Sequence, residues 1–419
     1  MKNKVYPIFI CLLCCFKGLF SKNSLSFKPN FTGRQVPLSY NLINGDDENE
    51  IIFGSSMPLS GGVSMLGRDF TYGVNMVFNK LNRSGGINGV LVKLASHNDW
   101  YDPAKTLQTI NLLQAQTSVF LGILGAESLL SLMPQIKSKQ MALFFPAVGN
   151  QIFRAEPPQY LVHYRASVRR EIEVLTTFVV RAKRRRKIAV FYEANRWGEG
   201  AFKEVERALK KHNLFIHSSA TYAANTVNIL PAARAIAKTR PDAVICIAQA
   251  RPAYNFIQQA INEGLSNSLF LGIGELAPIQ GIIKKSRGVE LVLSSVVPDP
   301  WRSNLPIAEQ FRKDMKKYLP NRKISQFLFE GYMAGSVMVT ILKRMKLPMT
   351  LGRLLEQFES LKRVNFGGVA LDFNSAERSL CSDVWINTGS GKAWPRFVSI
   401  PEVKEKAKQE KQGAVNVST

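Results

Sequence analysis

The stretch that decides the fold runs from Ile51 to Pro103. It opens on an apolar run, Ile51-Ile52-Phe53-Gly54-Ser55, followed by the turn Met57-Pro58-Leu59-Ser60-Gly61-Gly62. Leu66, Phe70, Val74, Val77 and Leu81 then recur at steps of four, four, three and four, which places them on one face of a helix. The turn Asn82-Arg83-Ser84-Gly85-Gly86-Ile87-Asn88-Gly89 leads to a second apolar strand, Val90–Ser96, which runs on to Asn98-Asp99, with Asp102-Pro103 close behind. Strand, helix and strand in this order form a βαβ unit and predict a parallel sheet.

The alternation continues. Pro103 suits the first turn of a helix, and Val119–Leu124, a helix from Ser128 and Met141–Phe145 follow. A second series begins after Arg165. It reads as helix Glu171–Arg184, strand Ile188–Tyr192, helix Gly200–His212 with Phe202, Val205 and Leu209 inward, and strand Leu214–Ser218. Helix Ile229–Thr239, strand Ala243–Ile247, helix Ala253–Glu263, strand Leu269–Gly272 and strand Leu291–Val297 complete it. Helices are expected at Leu305–Tyr318, Ser325–Met345 and Leu351–Leu361, and strands at Val369–Phe373 and Asp383–Thr388. The fold class is therefore α/β, with one βα architecture used twice.

At 419 residues the chain can build two full cores, and its 46% hydrophobic content is that of a globular protein. The formal net charge of +24 is the anomaly. The only dense basic run is Arg181-Ala182-Lys183-Arg184-Arg185-Arg186-Lys187, which reads as the solvated end of a helix. A dispersed basic surface that approaches an anionic membrane is preferred to a nucleic-acid site.

The N-terminus reads as an export signal over 1–21: Lys2 and Lys4 precede the apolar run Val5–Phe16, which is too short to span a bilayer. Cys14-Cys15 raises a lipoprotein anchor, but the residues before them are not the small ones such a site needs. Residues 22–50 read as a polar linker and 399–419 as a charged tail. Cys246 and Cys381 could pair or remain buried free thiols. The four His are scattered, so no metal site is expected, and no phosphate loop, dinucleotide fingerprint or nucleophile motif points to a cofactor or an enzyme.

The Ile51–Asp102 block resembles the opening unit of the type I periplasmic binding proteins, in the branch that takes branched-chain amino acids and amides. Phe144-Phe145-Pro146-Ala147-Val148-Gly149-Asn150, Arg165-Ala166-Ser167, Phe191-Tyr192 through Trp197-Gly198-Glu199-Gly200, and Gly367-Gly368-Val369 with Asp372-Phe373 fit later family blocks in order. The resemblance covers Ile51 to Arg396. It implies two Rossmann-like lobes joined by three crossovers, with ligand in the cleft between them: residues 51–166 plus 297–365 form lobe one, and 167–296 plus 366–398 form lobe two. It further implies an exported solute-binding protein that delivers a small molecule (an amino acid, amide or organic acid) to the permease of an ABC importer. The alternative is a ligand-sensing subunit acting on a separate signalling partner.

By the same resemblance, the ligand carboxylate meets the segments Gly125-Ala126-Glu127-Ser128 and Ala147-Val148-Gly149 of lobe one. Positions that carry Ser and Thr in amino-acid-binding members are here Ala126 and either Gly149 or Val148, which argues against simply transferring the amino-acid label. Ser128 could contact ligand or cap a helix. Trp197 matches the aromatic that closes over ligand from lobe two. Glu275 lies near the acid that pairs with a ligand ammonium, though it could also serve a helix start. Gln249 is a weaker polar candidate, and Ser60 could donate from the first turn or only shape it. Leu66 would leave that wall apolar. Arg169 and Arg170 near a crossover could favour an anion or simply be solvated.

Overall fold

A computed structural model describes residues 35–44, 49–223, 226 and 228–397. The expected signal, 1–21, and the tail, 399–419, lie outside these. The elements of the first half are β1 Ile43–Asn44, β2 Glu50–Met57, α1 Ser64–Asn82, β3 Leu91–Asn98, α2 Pro103–Leu113, β4 Val119–Ile123, α3 Ala126–Lys137, β5 Ala142–Phe144 and β6 Leu161–Val162. Next come α4 Val168–Thr177, β7 Ile188–Glu193, α5 Arg196–Lys210, β8 Ser218–Tyr222, α6 Leu230–Ala237, β9 Ala243–Ile247, α7 Ala250–Ala260, β10 Leu269–Gly272, α8 Ala277–Arg287 and β11 Leu291–Ser295. The chain finishes with α9 Pro306–Tyr318, α10 Gln326–Arg344, α11 Leu351–Glu359, β12 Val364–Phe366, β13 Val369–Leu371, β14 Val384–Asn387 and β15 Arg396–Phe397.

Two sheets define two lobes. In lobe one the parallel strands run β3-β2-β4-β5-β6, and β1 adds antiparallel to the start of β2, with Ile43 opposite Ile51. In lobe two the parallel strands run β8-β7-β9-β10-β11, and β14 and β15 extend the sheet antiparallel. Both cores thus share one strand order, with the first strand inside and the second at the edge. Strand order reverses between β2 and β4, and again between β7 and β9, and sheets of this kind bind ligand beyond the strand carboxyl ends at such points.

Local chemistry sets the boundaries. Asp102 caps α2, accepting the Ala104 N–H at 2.9 Å, with Pro103 in the first turn as expected. Phe70, Val74, Val77 and Leu81 of α1 are buried, while Leu66 faces the cleft. Each fully buried apolar side chain contributes about 1.5–3 kcal/mol. Helix α1 packs on α10 at close range: a Cβ added at Gly331 would lie 2.0 Å from the Phe70 carbonyl oxygen.

Several expectations shift. The stretch 22–50 reads as a linker, but Val36 and Leu42 are buried in lobe one and the Tyr160 hydroxyl donates to the Val36 carbonyl at 2.8 Å. The second strand of lobe two is Ser218–Tyr222 rather than Leu214–Ser218. The apolar residues Leu214 and Ile216 pack onto the core from a connection, while the true edge strand is Ser- and Thr-bearing. Helix α4 begins at Val168, capped by Ser167, and a wider turn, Phe178–Ala182, ends it at the start of the basic run. Helix α8 is absent from the sequence reading because Pro278, Gly281 and polar residues leave only Ile279 and Ile283 as buried points. Cys246 and Cys381 are free and buried; burial pushes the Cys246 thiol up and the Cys381 thiol up to about 12.

Candidate functional site

Between the lobes lies a cavity of about 370 Å³. From lobe one it is reached by the segments after β2 (Gly62, Val63), β4 (Leu124–Ser128) and β5 (Ala147, Val148, Asn150). From lobe two it is reached by the segments after β7 (Glu193, Asn195, Trp197), β9 (Gln249, Ala250) and β10 (Glu275, Pro278). These are the carboxyl ends of the strands on both sides of each reversal in strand order. Leu66, Leu124 and Val148 of lobe one and Trp197 of lobe two give the wall its apolar part, and polar groups reach it from both lobes.

The lobe-one side offers backbone donors to an anion, with the carboxylate of Glu127 in the first turn of α3 beside them. Helix α3 starts at Ala126 with Gly125 as its N-cap, and no side chain caps its first N–H groups. Gly125 is required here on two counts: its φ is +103°, and a Cβ would lie 2.9 Å from the Tyr101 ring. Ser128 is not the cap. It is buried, with its hydroxyl 2.8 Å from that of Thr106, which donates to Asp99 at 3.1 Å. Ser56 donates to the same carboxylate at 3.0 Å, so a buried hydroxyl cluster braces the floor beneath the helix start. Burial holds the Asp99 carboxyl above the usual range, against the hydrogen bonds that favour its charge.

The lobe-two end is acidic. Glu193 is buried and accepts the Tyr222 hydroxyl at 2.8 Å and the Asn195 amide at 3.0 Å. Burial raises its carboxyl, and Tyr222 opposes that. Glu275 is partly exposed to the cleft. Burial raises it to about 7; Arg165 pulls it down, and Glu171, Glu330 and Glu193 push it further up. Trp197 lies in the first turn of α5, which Asn195 caps by accepting the Gly198 N–H at 2.9 Å. The Gly198 position has no room for a side chain, since a Cβ would lie 2.0 Å from the Glu193 carbonyl oxygen. Helix α7 also points its start at the cavity, with Gln249 as N-cap and no side-chain capping bond.

Ala126, Ser128, Ala147, Trp197, Gln249 and Glu275 therefore line the cavity, as do Val148 and Asn150. Ser60 and Gly149 do not. Ser60 is tied to Asn98, whose side chain donates to its hydroxyl at 2.7 Å and accepts its N–H at 3.3 Å, so Ser60 shapes the turn. Gly149 faces Val168 across the crossover and accepts the Val168 N–H at 2.7 Å. Arg169 pairs with Glu204 at 2.9 Å and Arg170 with Glu173 at 3.2 Å, so both are spent within lobe two.

Among the lining residues that the sequence does not announce, Tyr101, Glu193 and Asn195 carry polar chemistry. Tyr101 has a φ of +65° after Trp100 at +54°, a turn no motif announces. Its ring lies beside Gly125 and lines the cavity, while the residue is exposed overall. Burial, then the Glu275 and Glu193 carboxylates, raise its ionisation above the ordinary value. Glu193 ends an apolar strand, and that acidic stop was the available signal.

A family model described as "Periplasmic binding protein" matches residues 50–388. A curated relative, the Leu/Ile/Val-binding protein homolog 7 of Brucella abortus, is 23% identical over 319 residues, covering 71% of this chain and 78% of the relative. The solved substrate-binding periplasmic protein from Ralstonia solanacearum is 26% identical with a TM-score of 0.72, covering 80% of this chain and 97% of that one. The branched-chain amino acid transporter substrate binding protein of Streptococcus pneumoniae, solved in complex with isoleucine, shares the fold at 15% identity. Its TM-score is 0.70, with 84% of this chain and 99% of that one covered.

Proposed function

The chain belongs to the periplasmic binding protein family, and from that premise we propose that it captures a small solute bearing both a carboxylate and an N–H-rich group, an amino acid or amide, between its two lobes. The observation that carries this is the division of the cavity. Uncapped N–H groups of α3 face it from lobe one, beside the single acid Glu127, and the two carboxylates Glu193 and Glu275 face it from lobe two. A carboxylate is favoured where helix N–H groups are unpaired and the helix dipole is positive. An ammonium or amide donor is favoured at the two acids, where it relieves their burial. Side-chain hydroxyls are not required at Ala126 and Gly149, because the α3 backbone supplies the donors. The apolar wall residues and Trp197 take an aliphatic or aromatic side chain.

Capture draws the lobes together by a hinge at the crossovers, and the closed form is the one delivered to an ABC permease. The protein works outside the cytoplasm, after removal of its N-terminal signal.

Calorimetric titration of the chain from residue 22 onward, which contains the whole described fold, tests this with three probes. Isoleucine carries both groups, glutamine adds a side-chain amide, and benzoate carries a carboxylate alone. Binding of isoleucine or glutamine with benzoate inert supports the reading. Preference for benzoate would sink it, since the two acids would then have no partner.

A further inference from the structure

The far end of lobe two carries a separate feature. Strands β7, β8 and β9 are parallel, so the segments that precede them gather at the end of the sheet opposite the cavity. The three segments are stitched together. The His217 N–H donates to the Ile188 carbonyl at 2.9 Å, the His217 ring lies 2.9 Å from the Thr239 carbonyl, and the Asp242 N–H donates to the Lys187 carbonyl at 2.7 Å. Onto this base project Lys183, Arg184, Arg186, Lys187, Lys238 and Arg240, all exposed. Among the described residues none of these six makes an ion pair. The carboxylate within the cluster, Asp242, is engaged by the backbone N–H groups of Arg186 and Lys187 at 3.0 and 2.9 Å. From the same base stands Phe215, 76% exposed.

We propose that this base is a docking surface for an anionic phospholipid membrane. Unpaired cations concentrate at such a surface through its negative potential, and a lone projecting aromatic ring enters the headgroup boundary. A strand of single-stranded nucleic acid would call for successive aromatic platforms along a groove, whereas Phe215 is the one exposed large aromatic of this base among the described residues. Strands of five or six residues separate the base from the cavity by about 15–20 Å. Lipid contact at the base is therefore independent of any solute, and of the solute reading above.

The test is co-sedimentation of the chain from residue 22 onward with vesicles of phosphatidylglycerol and phosphatidylcholine mixed, against phosphatidylcholine alone, at low and high salt. The comparison variant is Lys183→Gln/Arg184→Asn/Arg186→Gln, whose side chains are exposed and whose Arg184 position (φ +54°) suits Asn. Each cation near an anionic surface is worth about fivefold in partitioning, so the triple variant binds about a hundredfold more weakly. Phe215→Ser weakens binding further, and unchanged circular dichroism shows that the fold is kept. The expected result is binding that needs phosphatidylglycerol, falls with salt and is lost in the triple variant. Binding that ignores lipid charge, or a triple variant equal to the parent, overturns the proposal. So does a base-dependent affinity for an oligonucleotide with none for vesicles.

Discussion

The guanidinium of Arg165, in the first crossover, lies 3.5 Å from the carboxylate of Glu330 on α10. The same cation reaches Glu171 of α4 at 3.4 Å, and Glu171 accepts the Ser294 hydroxyl of β11 at 2.7 Å. One buried cation therefore joins the crossover and a lobe-one helix to α4, and through Glu171 to β11 of lobe two. Burial raises the Glu330 carboxyl while Arg165 lowers it. Arg165→Leu leaves two buried carboxylates without their cation. It is expected to cost about 3–5 kcal/mol of stability, read as a lower urea midpoint, with Glu330→Gln much milder. Equal loss in both variants would show that the cluster is not held by charge.

The α1–α10 crossing gives a second prediction. The Cβ of Gly331→Ala would meet the Phe70 carbonyl oxygen at 2.0 Å, backbone against backbone. Overpacking of this kind costs about 1–3 kcal/mol, which chemical denaturation measures. A variant as stable as the parent would mean that the helices can separate freely.

Glu275 gives the pH dependence. Its carboxyl rises from the ordinary 4.5 to about 7, so the folded protein holds this proton more tightly than the unfolded chain does. The stabilisation is complete below about pH 4.5 and is lost as pH rises through about 7. Partial exposure to the cleft limits the effect to about 1–3 kcal/mol. Ligand-free Glu275→Gln should therefore show a flatter stability profile across this window. Affinity for an ammonium-bearing ligand runs the other way, since the charged form of Glu275 is the partner: it rises through about pH 7. Parallel profiles for parent and variant, measured by calorimetry, would remove Glu275 from the site.

The free thiols give a fourth. Cys246 and Cys381 are buried, and both resist ionisation. Neither should react with a thiol reagent until the protein is unfolded in denaturant; rapid labelling of the native protein would contradict the packing around β9 and β14.

The sequence carried the architecture because its signals were local. The period of α1, the Asp102-Pro103 start of α2 and the apolar strands Ala243–Ile247 and Leu269–Gly272 sit where periodicity placed them. It misled where burial and strand position part company: Leu214–Ile216 is apolar yet is a connection, and Ser218–Tyr222 is polar yet is a strand. In the site, Trp197 and Glu275 were legible as chemistry-bearing residues in turns. Tyr101 was not, because its place depends on two successive left-handed residues. Nor could sequence tell that Ser60 is occupied by Asn98 and Gly149 by Val168, since both contacts are made in three dimensions only.

Solute capture is read most simply from thermal unfolding of the parent, Trp197→Ala and Ser60→Ala against a panel of amino acids and amides. A ligand that binds only the folded state stabilises it by about 2.7 kcal/mol at a hundred times its dissociation constant. A selective rise is expected for the parent and for Ser60→Ala, whose altered side chain lies outside the cavity. In Trp197→Ala the rise should be largely lost, through about 2 kcal/mol of affinity. No rise with any member of the panel, or a rise that survives Trp197→Ala and vanishes in Ser60→Ala, would contradict solute capture in this cavity.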